Sequence, residues 1–297
     1  MTVSNAVEMF LIEQKFRNNS AQTISYYRIS LDKFIDFIGD ISVTELDLNI
    51  YKQYTLYLLS IDSLKSTSVH TYLRAVKAFY NWLIDEEFIN DFSSKLKLVK
   101  QCKQTIIPLS DNEINILLDS FDTHTFLGIR NKCLCMLMLD CGLRRSECVK
   151  LKLCDVLIER KLLLINGKGN KQRLVPVGNN CFNLLLKYIN WYRITADKAE
   201  CLFISYYQKL PITTNTIRCL FNDLKKQTGI LRLHPHLLRH TFATHYILDG
   251  GDLETLRIIL GHSSINVTQI YLHLARNYKL AYAKHKSHVD YLCECKN

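Results

Sequence analysis

Apolar residues recur at helical spacing through most of the first hundred positions. "AVEMFLIEQKF" (6–16) predicts one helix. "SAQTISYYRISLDKFIDFIG" (20–39) predicts a second, with Ser20 as its cap and Leu31, Phe34 and Phe37 on one face. A third follows Thr44-Glu45-Leu46 through "NIYKQYTLYLLS". The fourth, "STSVHTYLRAVKAFYNWLIDEEF" (66–88), offers Ser66 or Thr67 as a cap and Val69, Leu73, Val76, Tyr80 and Leu83 as a buried stripe. No alternating strand pair interrupts them, so a small helical domain is expected over 1–98. The Lys-rich stretch 90–108 breaks the pattern, and a linker is expected over 99–108. In the second domain, 109–297, "SDNE" (110–113) reads as a capping box, and "GIRNKCLCMLMLDCGL" as a buried helix ending near Gly142. From Asp155 to Val177 the period shortens to that of strands joined by a Gly/Asn/Lys-rich turn; helices return from Cys181. The expected fold class is mainly α with a small β-sheet in the second domain. The chain ends in "ARNYKLAYAKHKSHVDYLCECKN", where Leu280, Tyr282, Val289, Tyr291 and Leu292 suggest a tail helix that needs a surface to dock on.

Composition adds little to this, with 48% hydrophobic and 22% charged residues over 297 positions, as in globular proteins with ample core. The distribution of charge adds more. Through Gln104, 12 Lys/Arg meet 12 Asp/Glu, so the net +10 comes from 26 basic and 16 acidic residues beyond it. Such an excess suits a polyanion, although a solvated basic surface gives the same count. The N-terminal stretch lacks the basic and apolar regions of a signal peptide, and eleven cysteines then point to reduced thiols in a cytoplasmic protein. The longest apolar run, Cys133–Leu139, is too short to span a bilayer, so no membrane association is expected. Cys133-x-Cys135 and Cys293-x-Cys295 lack the two-residue spacer of a zinc knuckle, and no metal is expected.

Four segments carry polar residues that a core would not select. In "CGLRRSECVKL", Glu147 lies one turn beyond Arg144 and can hold it facing inward; a surface ion pair has the same spacing. "NGKGNKQRLVPV" presents Lys168 and Lys171 on a hairpin tip, where the following strand rules out a nucleotide-binding P-loop. "HPHLLRHTFATHY" gathers four of the chain's ten histidines, and places His236, Arg239 and His240 on one helical face. The arginine argues against a metal, because a fixed cation repels a dication, whereas a phosphate welcomes both arginine and histidine. "LGHSSINVTQIYLHL" adds His262 and Tyr271, the latter one of sixteen tyrosines. In the first domain, hydroxyls precede helices bearing Arg74 and Lys77. Helix capping and phosphate contact explain them equally well.

In this order, "GLR-x-SE", "GKGNK-x-R-x-VP", "PH-x-LRH" and "LGHSS…TQIY" resemble the tyrosine site-specific recombinases, the phage integrase family. Compact Xer-like members are nearest in layout, with no arm-binding domain before residue 1. The resemblance implies a two-domain DNA clamp: a helical SAM-like core-binding domain, then a mixed α/β catalytic domain. It implies that Arg144, Lys168, His236, Arg239 and His262 surround the scissile phosphate while Tyr271 attacks, giving a covalent 3′-phosphotyrosine. Glu147 and His240 support them. The motif registers select Arg144 over Arg145 and Lys168 over Lys171. Expected DNA contacts are Thr23, Tyr27, Thr67, Ser68, His70, Arg74, Lys77, Lys171 and Arg173. Because the phosphotyrosine retains the ester's energy, no cofactor is expected. Expected partners are duplex DNA with paired half-sites and three further copies of the chain, as a homotetramer on two sites, with or without accessory proteins. The alternatives are relaxation of the type IB topoisomerase kind, a non-catalytic sequence-specific DNA-binding protein, and a zinc hydrolase built on the histidines.

Overall fold

The four apolar stretches of the first hundred residues fold as helices α1 (Val3–Phe16), α2 (Ala21–Ile38), α3 (Leu48–Ser60) and α4 (Ser66–Asp85). The computed structural model describes residues 1–100, 106–167, 171–193, 196–207 and 209–281, and the chain divides into two compact units, Met1–Gln104 and Thr105–Asn297. Ser20 caps α2 as expected, its hydroxyl accepting from the Thr23 amide at 3.2 Å, and Asp47 caps α3 through the Ile50 amide at 2.8 Å. The cap of α4 differs from expectation. Lys65 occupies it without a side-chain bond, because the Ser68 and Val69 amides already donate to the Lys65 carbonyl, so Ser66 and Thr67 fall inside the first turn. The stripe Val69, Leu73, Val76, Tyr80 and Leu83 is buried, and Tyr80 meets Phe34, which packs edge-on against Tyr54. Each aliphatic member contributes about 2 kcal/mol by leaving water. That is comparable to the entropy lost in ordering one residue.

The second unit opens with α5 (Asp111–Asp119), where Ser110 and Glu113 form the expected capping box. In α6 (Phe126–Asp140), Cys133, Leu134, Cys135, Leu137 and Met138 are buried. The helix stops at Cys141, and Gly142 turns the chain with φ +63°. A side chain there would strike Phe242 and Leu260, so only glycine fits. α7 (Arg145–Lys150) follows. Next come β1 (Val156–Leu157), β2 (Leu162–Asn166) and β3 (Gln172–Pro176), an antiparallel sheet in the order β1-β2-β3. Ile165 pairs with Arg173 and Leu163 with Val175. The Gly167 amide donates to the Lys171 carbonyl at 2.8 Å and closes the hairpin neck.

Helices α8 (Asn179–Tyr192), α9 (Thr214–Thr228), α10 (Pro235–Leu248), α11 (Leu253–Leu260), α12 (Ile265–Thr268) and α13 (Ile270–Ala281) complete the unit. α6 packs against α8 and α10 in the main core. A satellite cluster of Ala243, Leu256, Leu260, Tyr271 and Leu274 draws α10, α11 and α13 together. That cluster brings three separate stretches of sequence to one place. Among the described residues, no helix is long and apolar enough to cross a membrane, and eight cysteines are free thiols.

Candidate active site

The site is assembled around the end of α6, the start of α7, the first turns of α10 and the C-terminus of α11. Arg144 is the N-cap of α7. Its amide donates to Glu147 Oε2 at 2.8 Å and its Nη1 to Glu147 Oε1 at 2.9 Å, a pairing the three-residue spacing allowed, with the carboxylate buried. Arg173 Nη1 and Nη2 grip the same carboxylate at 3.0 and 2.9 Å. Burial would raise the Glu147 pKa, but the hydrogen bonds and charge of Arg173, then those of Arg144, hold it below the usual carboxylate value. Two guanidiniums thus share one buried anion.

Pro235 opens α10, and His234 caps it by accepting from the Leu237 amide through Nδ1 at 2.8 Å. The i, i+3, i+4 spacing does place His236, Arg239 and His240 together. Arg239 is buried; its pKa falls to about 10, first through desolvation and then through Arg144 nearby. Its Nη1 donates to the Gly142 carbonyl at 2.6 Å. Desolvation, then the neighbouring histidines and Arg239, push His240 down to about 4, and its Nδ1 is buried without a hydrogen-bond partner. His236 lies nearer the surface. The protein around its ring, then Arg239, lowers its pKa too.

α11 ends at Gly261, with φ +64°. There four successive carbonyls each accept from a different arginine: Ile259 from Arg173 at 2.7 Å, Leu260 from Arg239 at 2.8 Å, Gly261 from Arg144 at 3.4 Å and His262 from Arg257 at 2.8 Å. Carbonyls at a helix C-terminus carry partial negative charge and attract cations. His262 Nε2 lies 3.0 Å from Arg239 Nη2, and a guanidinium can only donate. Nε2 therefore accepts, and Nδ1 carries the proton toward Thr268 Oγ1 at 2.9 Å. Burial, then Arg239 and Arg144, push the His262 pKa down to about 4.

Tyr271 lies against this wall, 3% exposed, its ring parallel to His262 at 6.3 Å and 5.5 Å from His240. Burial raises the phenol's pKa, while Arg239 and Arg144 pull it back down. Ionisation is thus costly until the cations act on the oxygen. Thr268, fully buried, was not singled out from sequence. It sits three residues before the tyrosine in "TQIY", but its contact spans a loop.

The remaining candidates are dispersed. Lys168 lies outside the described residues, as does the tail beyond Ala281. Arg145 is half-buried, and Lys171 and Arg74 are exposed. Arg173, expected among the DNA contacts, instead points inward onto Glu147, with a side chain only 9% exposed. Its alternation with buried Val175 along β3 was the signal for that. Lys77 donates to the Leu96 carbonyl at 2.6 Å. Tyr27 packs edge-on against Phe10 at 5.1 Å, and the Thr23 hydroxyl contacts Ser20 Oγ at 2.9 Å. Thr67 is exposed; Ser68 and His70 are half-buried. Among the described residues, Asp140, Cys141 and Cys181 bring a carboxylate and two sulfurs within 4.8 Å. Asp140 already accepts from the Gly178 amide at 2.7 Å and from the Cys141 thiol, so this donor set is taken up by its own hydrogen bonds.

Tyr271 is thus buried beside His240, His262 and the charges of Arg239 and Arg144, in a mixed unit that follows a helical one. Comparison with known proteins gives the class. A model of the phage integrase family matches residues 96–277, and a model of the phage integrase N-terminal SAM-like domain matches 7–90. Tyrosine recombinase XerC of Bacillus pumilus is 32% identical over 270 residues, covering 88% of each chain. XerC of Oceanobacillus iheyensis is 32% identical over 295 residues, 96% of this chain and 95% of that one. Among solved structures, XerA recombinase aligns over 95% of this chain and 100% of its own, with 27% identity and a TM-score of 0.52. A lambda integrase dimer bound to a core site shares the fold at TM-score 0.76 and 15% identity, covering 97% of this chain and 100% of that one. The chain belongs to the phage integrase family. It is a site-specific tyrosine recombinase, cleaving and rejoining DNA strands.

Proposed function

We propose that Tyr271 is the nucleophile and that Arg144, Lys168, His236, Arg239 and His262 serve it at the scissile phosphate. The observation that carries this reading is Tyr271 itself, buried beside His262, where burial raises its pKa and Arg239 and Arg144 offset part of the rise. In the reaction, the Tyr271 oxygen forms a bond to phosphorus as the bond to the 5′ oxygen breaks. The phenol proton passes to His236, which is neutral at pH 7 because its pKa is lowered. Lys168 gives a proton to the departing 5′ oxygen. Arg144 and Arg239 turn from their carbonyls to hold the nonbridging oxygens, a bidentate task that suits guanidinium. With a proton on Nε2, His262 donates to the phosphate as the Thr268 hydroxyl reverses to donate to Nδ1. A 5′ hydroxyl attacking the phosphotyrosine reverses each step, so rejoining needs neither ATP nor a metal.

The first unit contributes DNA contacts from Thr23, Thr67, Ser68, His70 and Arg74, and Lys171 adds another from the hairpin. Paired half-sites are the substrate. The lambda integrase dimer on a core site and XerH recombinase bound to difH substrate support this by relationship. The working assembly is a tetramer on two sites, in the cytoplasm. The reading is tested by incubating the chain with a pool of nicked, randomised duplexes and recovering DNA covalently attached to protein. The wild-type chain should yield attachment through a 3′ phosphate, and Tyr271→Phe should bind the same duplexes without attachment. Covalent complexes formed by the Phe variant would remove Tyr271 from its role.

A further inference from the structure

Arg173 is held on all sides by the protein, its side chain only 9% exposed. Nε holds the Ile259 carbonyl at 2.7 Å, and Nη1 and Nη2 hold the two oxygens of Glu147. Its stem packs under Gly261, where an added side chain would meet Arg173 atoms at 3.1–3.2 Å. Three donors are thus fixed at once, by a helix end and by a carboxylate that is itself 6% exposed. The carboxylate's Oε1 also accepts from Arg144 Nη1 at 2.9 Å. Glu147 has two oxygens and two arginine claimants. With Arg173 in place, Glu147 holds the Arg144 side chain by a single bond, and Arg144 Nη2 meets only the Gly261 carbonyl at a long 3.4 Å, a contact a phosphate can replace. Without it, the carboxylate can turn and chelate Arg144 bidentately, drawing it from the phosphate.

We propose that Arg173 is a positioning residue for strand cleavage: anchored on the end of α11, it fixes the Glu147 carboxylate so that Arg144 faces the scissile phosphate. This rests on the role assigned above to Arg144. Lysine cannot substitute, because one ammonium on a flexible stem cannot hold two carboxylate oxygens and a carbonyl in a fixed plane.

The test uses the full chain and duplexes recovered as covalent complexes from the nicked pool. Covalent-complex formation at saturating protein is timed for wild type, Arg173→Gln, Arg173→Lys, Arg144→Ala and the double variant Arg173→Gln/Arg144→Ala. Half-site affinity is measured across a salt series. Arg173→Gln should slow complex formation about a hundredfold, the scale of losing one transition-state donor, with affinity and salt dependence unchanged. In the Arg144→Ala background it should add less than about threefold, because residues acting as a unit are non-additive. Multiplying effects would overturn the proposal. So would weaker binding whose salt slope drops by about one at an unchanged saturating rate, which marks a phosphate contact. Should the Gln variant fail to fold, Arg173→Lys decides by the same comparisons, with an expected loss of about tenfold or more. Guanidinium NMR signals of Arg144 give a readout independent of catalysis. They should shift in Arg173→Lys, and unchanged signals would refute the positioning role. If Arg144→Ala or Tyr271→Phe cleaves normally, the assignment of catalytic groups fails instead.

Discussion

Replacing Glu147 by glutamine removes one negative charge from between two guanidiniums and changes little else in volume. The carboxylate accepts four hydrogen bonds, two from Arg173 and two from Arg144. At an effective dielectric of about 20, each guanidinium pair is worth about 4 kcal/mol before desolvation is subtracted. Breaking a buried pair by removing one partner costs about 3–5 kcal/mol. Glutamine keeps one carbonyl acceptor but turns an amide donor toward other donors, so about 3 kcal/mol is expected at pH 7. Trp82 and Trp191 are the only tryptophans, and Trp82→Phe leaves Trp191 to report the second unit in urea titrations. The pH dependence supplies a second check. The Glu147 pKa is lowered from 4.5 in the folded chain, so its stabilisation is present above 4.5 and lost as pH falls through the folded value. The gap between the parent and Glu147→Gln should therefore close below pH 4.5. A gap under about 1 kcal/mol at pH 7, or one that stays constant to pH 3, would refute the view that this carboxylate neutralises the cluster.

The histidines act in the same direction, over a higher pH range. His240 and His262 have folded pKa values of about 4 against an ordinary 6.5, so the unfolded chain binds protons first and stability falls as pH drops from 6.5 toward 4. Halved for solvent screening, the effect is about 1 kcal/mol each at pH 5. His262→Gln should flatten this slope in urea midpoints, and an unaltered slope would count against a buried neutral imidazole. Lys168→Ala should slow cleavage far more than Lys171→Ala, with a 5′-phosphorothiolate leaving group restoring the rate; no rescue would move the acid elsewhere. On the proposed assignment, which gives the transition-state charge to arginines, cleavage should persist in excess EDTA. Activity lost and then restored by Zn²⁺ or Mg²⁺ would revive the metal-dependent alternative.

Local chemistry was legible in the sequence wherever partners sit within one turn. Ser20 as a cap, the Leu73 stripe and the Arg144–Glu147 pair all follow from spacing of three or four. The α4 cap was misread because serine, threonine and lysine compete over adjacent positions, and backbone hydrogen bonding rather than side-chain preference decided it. Long-range contacts left no local trace. Nothing in "CGLR" announces that the Gly142 carbonyl receives Arg239 from 97 residues away. Arg173 is an intermediate case. It was expected among the DNA contacts, although its alternation with Val175 along β3 marks it as inward. Burying a charge beside a waiting carboxylate outweighed exposing it.

The four arginines resting on the carbonyls of residues 259–262 bear on how tightly the active centre itself can hold DNA. Before a phosphodiester arrives, Arg144 and Arg239 are already hydrogen-bonded to the protein. Binding therefore exchanges acceptors rather than creating bonds, and the net return per exchange is on the order of 1 kcal/mol. The grip on the double helix must come mainly from backbone contacts away from the scissile position. On the assignment proposed above, a centre of this kind is largely self-satisfied before DNA arrives. Such a centre spends little on holding its substrate and keeps its cations for the moment of strand breakage.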